Sequence, residues 1–242
     1  MKKWMIILVL FMMVFSLSSC SEQSDPTSEL ISQFDAYTAL DIADQHTFNT
    51  FINGVSNEVV PGFVLVRMTV KNSSNQVIRT VISTGFVYDA HENTIRIVAS
   101  LDAVLVGDDN LIGTYEVIDY ADRSYPATIT NRSLDYGMAK LQINTSVSTS
   151  KIVDLDLAEY VPFDQEPLLM LSNFNQVRNA MQMGSLLSKT GLRYQTSLDI
   201  DPNSLGAVLI NMRKEVIGLV VSIDEDDVTI MGLEALKDYL KQ

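Results

Sequence analysis

The chain has 242 residues, 17 basic and 30 acidic side chains, a formal charge of −13 at pH 7, one cysteine and 47% hydrophobic residues. That acidic balance argues against nucleic acid as a partner and against electrostatic attraction to anionic lipid. A single cysteine rules out an intrachain disulfide, so stability must come from a hydrophobic core, which a chain of this length can bury.

Lys2 and Lys3 precede an apolar run from Trp4 to Phe15, followed by Ser16-Leu17-Ser18-Ser19-Cys20. A basic start, about a dozen apolar residues and a small-residue end form an export signal, too short for the roughly 20 residues of a spanning helix. Leu17-Ser18-Ser19-Cys20 resembles the bacterial lipobox. The resemblance implies that residues 1–19 are a lipoprotein signal peptide and that Cys20 becomes a lipid-modified N-terminus. Two or three acyl chains anchor a protein stably where one is marginal. The expectation is therefore a lipoprotein on the extracytoplasmic face of the cell membrane; the alternative is an ordinary signal peptide with a chance cysteine.

Residues 20–29, including "SEQSDPTSE", are polar and without periodicity, and read as a flexible tether. Leu30, Ile31, Phe34, Leu40, Phe48, Phe51 and Ile52 are spaced for short amphipathic helices over residues 30–57. From residue 58 the pattern changes to strands: "GFVLVRMTV", "VIRTVISTGFVYD", "IRIVASLDAVLV", "TYEVIDY", "SYPATITNR", "MAKLQI", "EPLLMLSNF" and "MGSLLS", each bounded by turn signals. Two more surround a charged tip in "AVLINMRKEVIGLVV". Ile230, Leu233, Leu236 and Leu240 fall at helical spacing and predict a closing helix. "DEDD" (224–227) reads as a solvated turn between the last strand and that helix. Short strands at this spacing argue for an all-β sandwich or barrel.

The order of these blocks resembles the trypsin-like serine proteases of the HtrA (DegP-like) type. "STGFVYD" (83–89) is similar to the family's "GSGFIYD", "IVASLDAVL" (97–105) to "ILTNAHVVE", and "DYGMAKL" (135–141) to the segment headed by the catalytic aspartate. "DPNSLGAVLINMRKEVIGL" (201–219) is similar to "NPGNSGGPLVN…GEVIGI". The resemblance covers roughly residues 58–240 and implies two antiparallel six-stranded β-barrels over residues 58–242.

Carried over residue by residue, the resemblance places Asp135 at the catalytic aspartate but Asp102 at the histidine. The chain's histidines are His46, in the helical segment, and His91, in a hairpin turn. A gapless reading of Asp201 to Asn211 puts Leu205 at the nucleophile; a one-residue gap puts Ser204 there. A serine hydroxyl needs an adjacent base to attack, and that base must then protonate the leaving amine. A carboxylate, with an ordinary pKa of about 4, does neither well at pH 7. The expectation is a catalytically inactive homologue, a pseudoprotease, with no cofactor and no metal site.

Three functions compete: binding of an extended peptide or envelope protein in the old cleft, hydrolysis through Ser204 with an unusual base, and a purely structural envelope role. A carboxylate pair of Asp102 and Asp135 facing one another is a further alternative.

Overall fold

The structure, a computed structural model, describes residues 45–173, 179–224 and 227–242, the side chains of residues 45, 148 and 149 excepted. The signal, Cys20, the tether and residues 30–44 of the helical segment lie outside the described residues. Helix α1 (Gln45–Gly54) runs on through a π turn, Val55–Val59, and a 3-10 turn, Val60–Gly62. Pro61, which has no N–H to donate, stands in this last turn, and Phe63 takes up extended backbone.

Asn49 to Gln242 form a compact unit. Its first half contains β1 (Phe63–Lys71), β2 (Val77–His91), β3 (Thr94–Ser100), β4 (Ile112–Ile118), β5 (Ser124–Ser133) and β6 (Met138–Asn144). These close into an antiparallel barrel in the order β1-β2-β3-β6-β5-β4. The Asn72–Gln76 turn joins β1 to β2, with the Asn72 Oδ1 accepting from the amides of Ser74 and Gln76 at 3.0 and 2.9 Å, the local bonding that suits asparagine to turns. β2 pairs with β1 from Val77 onward but with β3 only from Gly85 to His91.

After a single helical turn, α2 (Val147–Ser150), a second barrel follows. It contains β7 (Pro167–Ser172), β8 (Ala180–Thr190), β9 (Arg193–Thr196), β10 (Val208–Ile210), β11 (Val216–Asp224) and β12 (Asp227–Gly232), closed as β10-β11-β12-β9-β8-β7. Helix α3 (Leu233–Leu240) ends the fold. The expected all-β class, the two six-stranded barrels and both helices are present. Two of the twelve described strands, β9 and β12, are not among the segments read as strands from the sequence pattern. Ile230, read with the closing helix, lies instead on β12 opposite Tyr194 of β9. "DEDD" therefore falls at a strand–strand connection, where Asp224 pairs with Asp227, and not at a strand–helix loop.

Three apolar clusters hold the unit together. One fills the first barrel around Val66, Ile97 and Leu141, and one fills the second around Leu168, Leu209 and Ile217. The third lies between the barrels and under α3, and joins Phe63, Phe86 and Met138 to Leu171, Ile210, Val221 and Tyr239. β10 is buried on both faces, with Leu209 inward and Val208 and Ile210 in the seam. That is why its sequence is apolar without alternation.

Candidate functional site

Five chain segments meet where the barrels face one another. The turn after β3 carries Asp102; the Leu101 amide donates to the Gly137 carbonyl at 2.8 Å, which ties that turn to the one carrying Asp135. The Ser100 hydroxyl donates to the Val221 carbonyl at 2.6 Å and accepts from the Asp102 amide at 3.1 Å, so the same turn is fastened to β11. On the other side, the Leu205 carbonyl accepts from the Thr84 amide at 3.0 Å and the Thr84 hydroxyl at 3.2 Å. Gly206 adopts φ +77°, and a Cβ there would stand 1.9 Å from the Thr84 carbonyl oxygen. Only glycine allows so close an approach of two backbones.

The residues expected at the site are thus brought to one seam, but their functional groups are not brought together. Asp102 and Asp135 are both exposed, and among the described residues neither carboxylate has a hydrogen-bond or ion-pair partner. The carboxylate pair expected as an alternative does not form a hydrogen-bonded dyad. His91 ends β2 in the β2–β3 hairpin and is exposed.

Leu205 is half-buried and packs against the core of the first barrel. Ser204 closes a 3-10 turn, Pro202–Ser204, and is fully buried; its hydroxyl has no hydrogen-bond partner among the described residues. Activation of a serine needs a base bonded to its hydroxyl, and among the described residues none is bonded to this one. The same turn disposes of another group. The Asp201 carboxylate accepts from the Asn203 amide and from the Asn203 side-chain nitrogen, both at 2.7 Å. An oxyanion site needs free backbone N–H groups aimed at developing negative charge. Here the Asn203 N–H is already bonded to a carboxylate.

Beside this turn, a recess of about 320 Å³ opens on the second barrel. Leu187, Leu198, Ile200 and Val228 line it, with Thr196 and Gln195 at its polar side. Its wall at Leu198–Ile200 leads straight into Asp201. Among the described residues no cluster of acidic, histidine or cysteine side chains could hold a metal ion.

Two buried polar groups lie behind the seam. Lys140 of β6, 7% exposed, donates to the Leu240 carbonyl at 3.3 Å and sits 5.0 Å from the Tyr239 ring centre and 5.8 Å from that of Tyr88. It caps the C-terminus of α3, where a cation is favoured. Burial, and then Arg96, hold its ammonium below the ordinary lysine value. Glu166, just before β7, is also buried and accepts from the Tyr160 hydroxyl and from the Phe163 amide. Burial raises its carboxyl above the ordinary value, against the opposing effect of those two bonds. Asn211 extends the network by donating to the Tyr160 oxygen at 3.2 Å and to Glu215 at 2.7 Å. None of these residues was singled out in the sequence, because a buried lysine or glutamate looks like a surface one until the strand's facing is known.

Two closed six-stranded antiparallel barrels meeting in such a seam fit a chymotrypsin-like fold. No protein-family model matches the chain, and no curated protein matches it in sequence. The fold therefore stands on strand order and register.

Proposed function

We propose that this protein is a non-hydrolytic relative of the HtrA-type serine proteases that binds an extended polypeptide in the seam between its barrels. The observation that carries this reading is the Asp201–Gly206 turn. A leucine stands at the nucleophile position, with its carbonyl bonded to Thr84. The adjacent serine hydroxyl is fully buried, and the Asn203 amide is bonded to the Asp201 carboxylate. Asp102, at the histidine position, offers no imidazole to carry a proton between nucleophile and leaving group. The recess beside the turn, lined by Leu198, Ile200 and Val228, suits an apolar side chain of the bound segment. Lipid on Cys20 would hold the protein on the extracytoplasmic face of the cell membrane. Among the described residues no helix is long and apolar enough to cross it.

The test is fluorophosphonate labelling of the purified chain beside a Ser204→Ala control. The expected result is no labelling of either. Labelling that is lost in the control would make Ser204 an activated nucleophile and end the non-hydrolytic reading.

A further inference from the structure

β2 is 15 residues long, but β3 covers it only from Gly85 onward. Its leading half, Val77 to Thr84, pairs with β1 on one side and, among the described residues, with no strand on the other. We propose that this free edge is a strand-addition site for an extended segment of another protein, β-branched in its middle and flanked by carboxylates. The proposal does not depend on what the seam binds.

The direction of the backbone groups follows from one observed bond. The Thr84 amide points away from β1, to the Leu205 carbonyl. In an antiparallel ladder the N–H and C=O of alternate residues point to the same side. The backbone groups of Ile82 and Thr80 therefore also point away from β1. No other backbone bond reaches either of them among the described residues. The pattern ends where the register shifts at Val70/Lys71, opposite Arg79 and Val77. Thr80 and Ile82 thus offer two donors and two acceptors, enough for about four hydrogen bonds to an added antiparallel strand.

The side chains on this edge suit that use. Val77, Ile78 and Ile82 are 57%, 55% and 47% exposed, and Ile112, in one row with Lys71 and Val77, is 59% exposed. Bare β-branched residues beside unpaired backbone groups are a template for another strand.

Charge decides which strand. In a chain of net charge −13, no acidic residue occurs between Glu58 and Asp89, while Arg67, Lys71 and Arg79 do. Glu116 neutralises Arg67 at 2.6 Å. Arg79 donates only to the carbonyls of Leu105 and Val106, and among the described residues neither it nor Lys71 has an ion-pair partner. Two copies meeting edge to edge would oppose like charges, whereas a segment flanked by carboxylates would meet both cations.

The experiment is amide hydrogen exchange on the full chain with a probe peptide of six alternating valines and threonines, ended by two glutamates on each side. A twin peptide ended by lysines is the charge control. The glutamate probe is expected to slow exchange at Thr80 and Ile82 by at least about tenfold, and the lysine twin to bind at least about tenfold more weakly. Thr80→Pro should abolish the effect without breaking a ladder bond, because that N–H points away from β1. Lys71→Glu, which leaves the backbone intact and balances the charge of Arg79, should remove the preference between the two peptides. Unchanged exchange at both residues, equal binding of the twin, or undiminished binding by the Thr80→Pro variant would each overturn the proposal. So would protection that grows with protein concentration in the absence of peptide, which would make a second copy the occupant.

Discussion

Gly206→Ala tests whether the two barrels are fastened at the Leu205 turn. The new Cβ would stand 1.9 Å from the Thr84 carbonyl oxygen and 2.8 Å from its carbon. Relief to an ordinary contact of about 3.5 Å moves the turn away from β2 by roughly 1.6 Å. That separation breaks the Thr84 amide and hydroxyl bonds to Leu205, now 3.0 and 3.2 Å long. Each such bond contributes about 0.5–1.5 kcal/mol net, and holding a non-glycine residue at positive φ costs about 1–2 kcal/mol more. The expected loss is about 2–5 kcal/mol, a large part of the 5–15 kcal/mol of a typical domain. Gly191→Ala is the control: Gly191 has φ +60° and nothing within 4 Å of its virtual Cβ, so only the conformational cost of about 1–2 kcal/mol applies. Urea unfolding followed by far-UV circular dichroism gives both values. A Gly206→Ala loss within about 0.5 kcal/mol of the control would refute the idea that this contact fastens the seam.

Asp119, fully buried, accepts from the amides of Ala121 and Arg123, the Arg123 Nε and the Tyr125 hydroxyl. Asp119→Ala is expected to cost about 1–3 kcal/mol in thermal or urea unfolding, because it leaves the Ala121 and Arg123 amides and the Tyr125 hydroxyl without their acceptor. Glu166 has a folded-state pKa raised by burial, so its favourable contribution is complete below the ordinary value of 4.5 and is lost as pH rises through the raised one. The stability of the wild type relative to Glu166→Gln should therefore fall with increasing pH from about 4.5 upward, and a flat difference across that window would contradict the assignment. The double variant Asp102→His/Leu205→Ser is expected to remain inactive on a p-nitrophenyl ester while Asp201 holds the Asn203 amide, since one lost oxyanion donor alone costs about 10²–10³ in rate.

Most strands were legible because period-2 alternation is a local property; the closure into two barrels was implied only by the resemblance in block order. Phe63 to Lys71 alternates buried with half-buried residues through most of its length, and Ser124 to Ser133 alternates exposed with half-buried ones. β12 was not legible for the same reason. Its Ile230 lies three residues before Leu233, so helical spacing could claim it, and only pairing with Tyr194 some 36 positions away makes it a strand. β9, four residues long, is too short to carry a pattern. At the seam, Asp102, Asp135 and Leu205 were singled out only through the resemblance in order and spacing. That the Ser204 hydroxyl is buried and that, among the described residues, the Asp102 and Asp135 carboxylates have no partner are facts of turn geometry and barrel docking. No short window of sequence contains them.

The bonds that fasten the barrels also constrain how the protein folds. Thr84 to Leu205 and Ser100 to Val221 each join residues 121 positions apart. Most ladders within a barrel join nearer neighbours, such as Asp89 with Arg96 or Ser188 with Gln195. Loop closure over the longer span must be met before those bonds reward it, so docking of the two barrels is expected to come late and slowly. Substitutions at Gly206 or Ser100 should then appear mainly as faster unfolding, with the refolding rate nearly unchanged. The stability lost at the seam would then be read almost wholly in the lifetime of the folded protein.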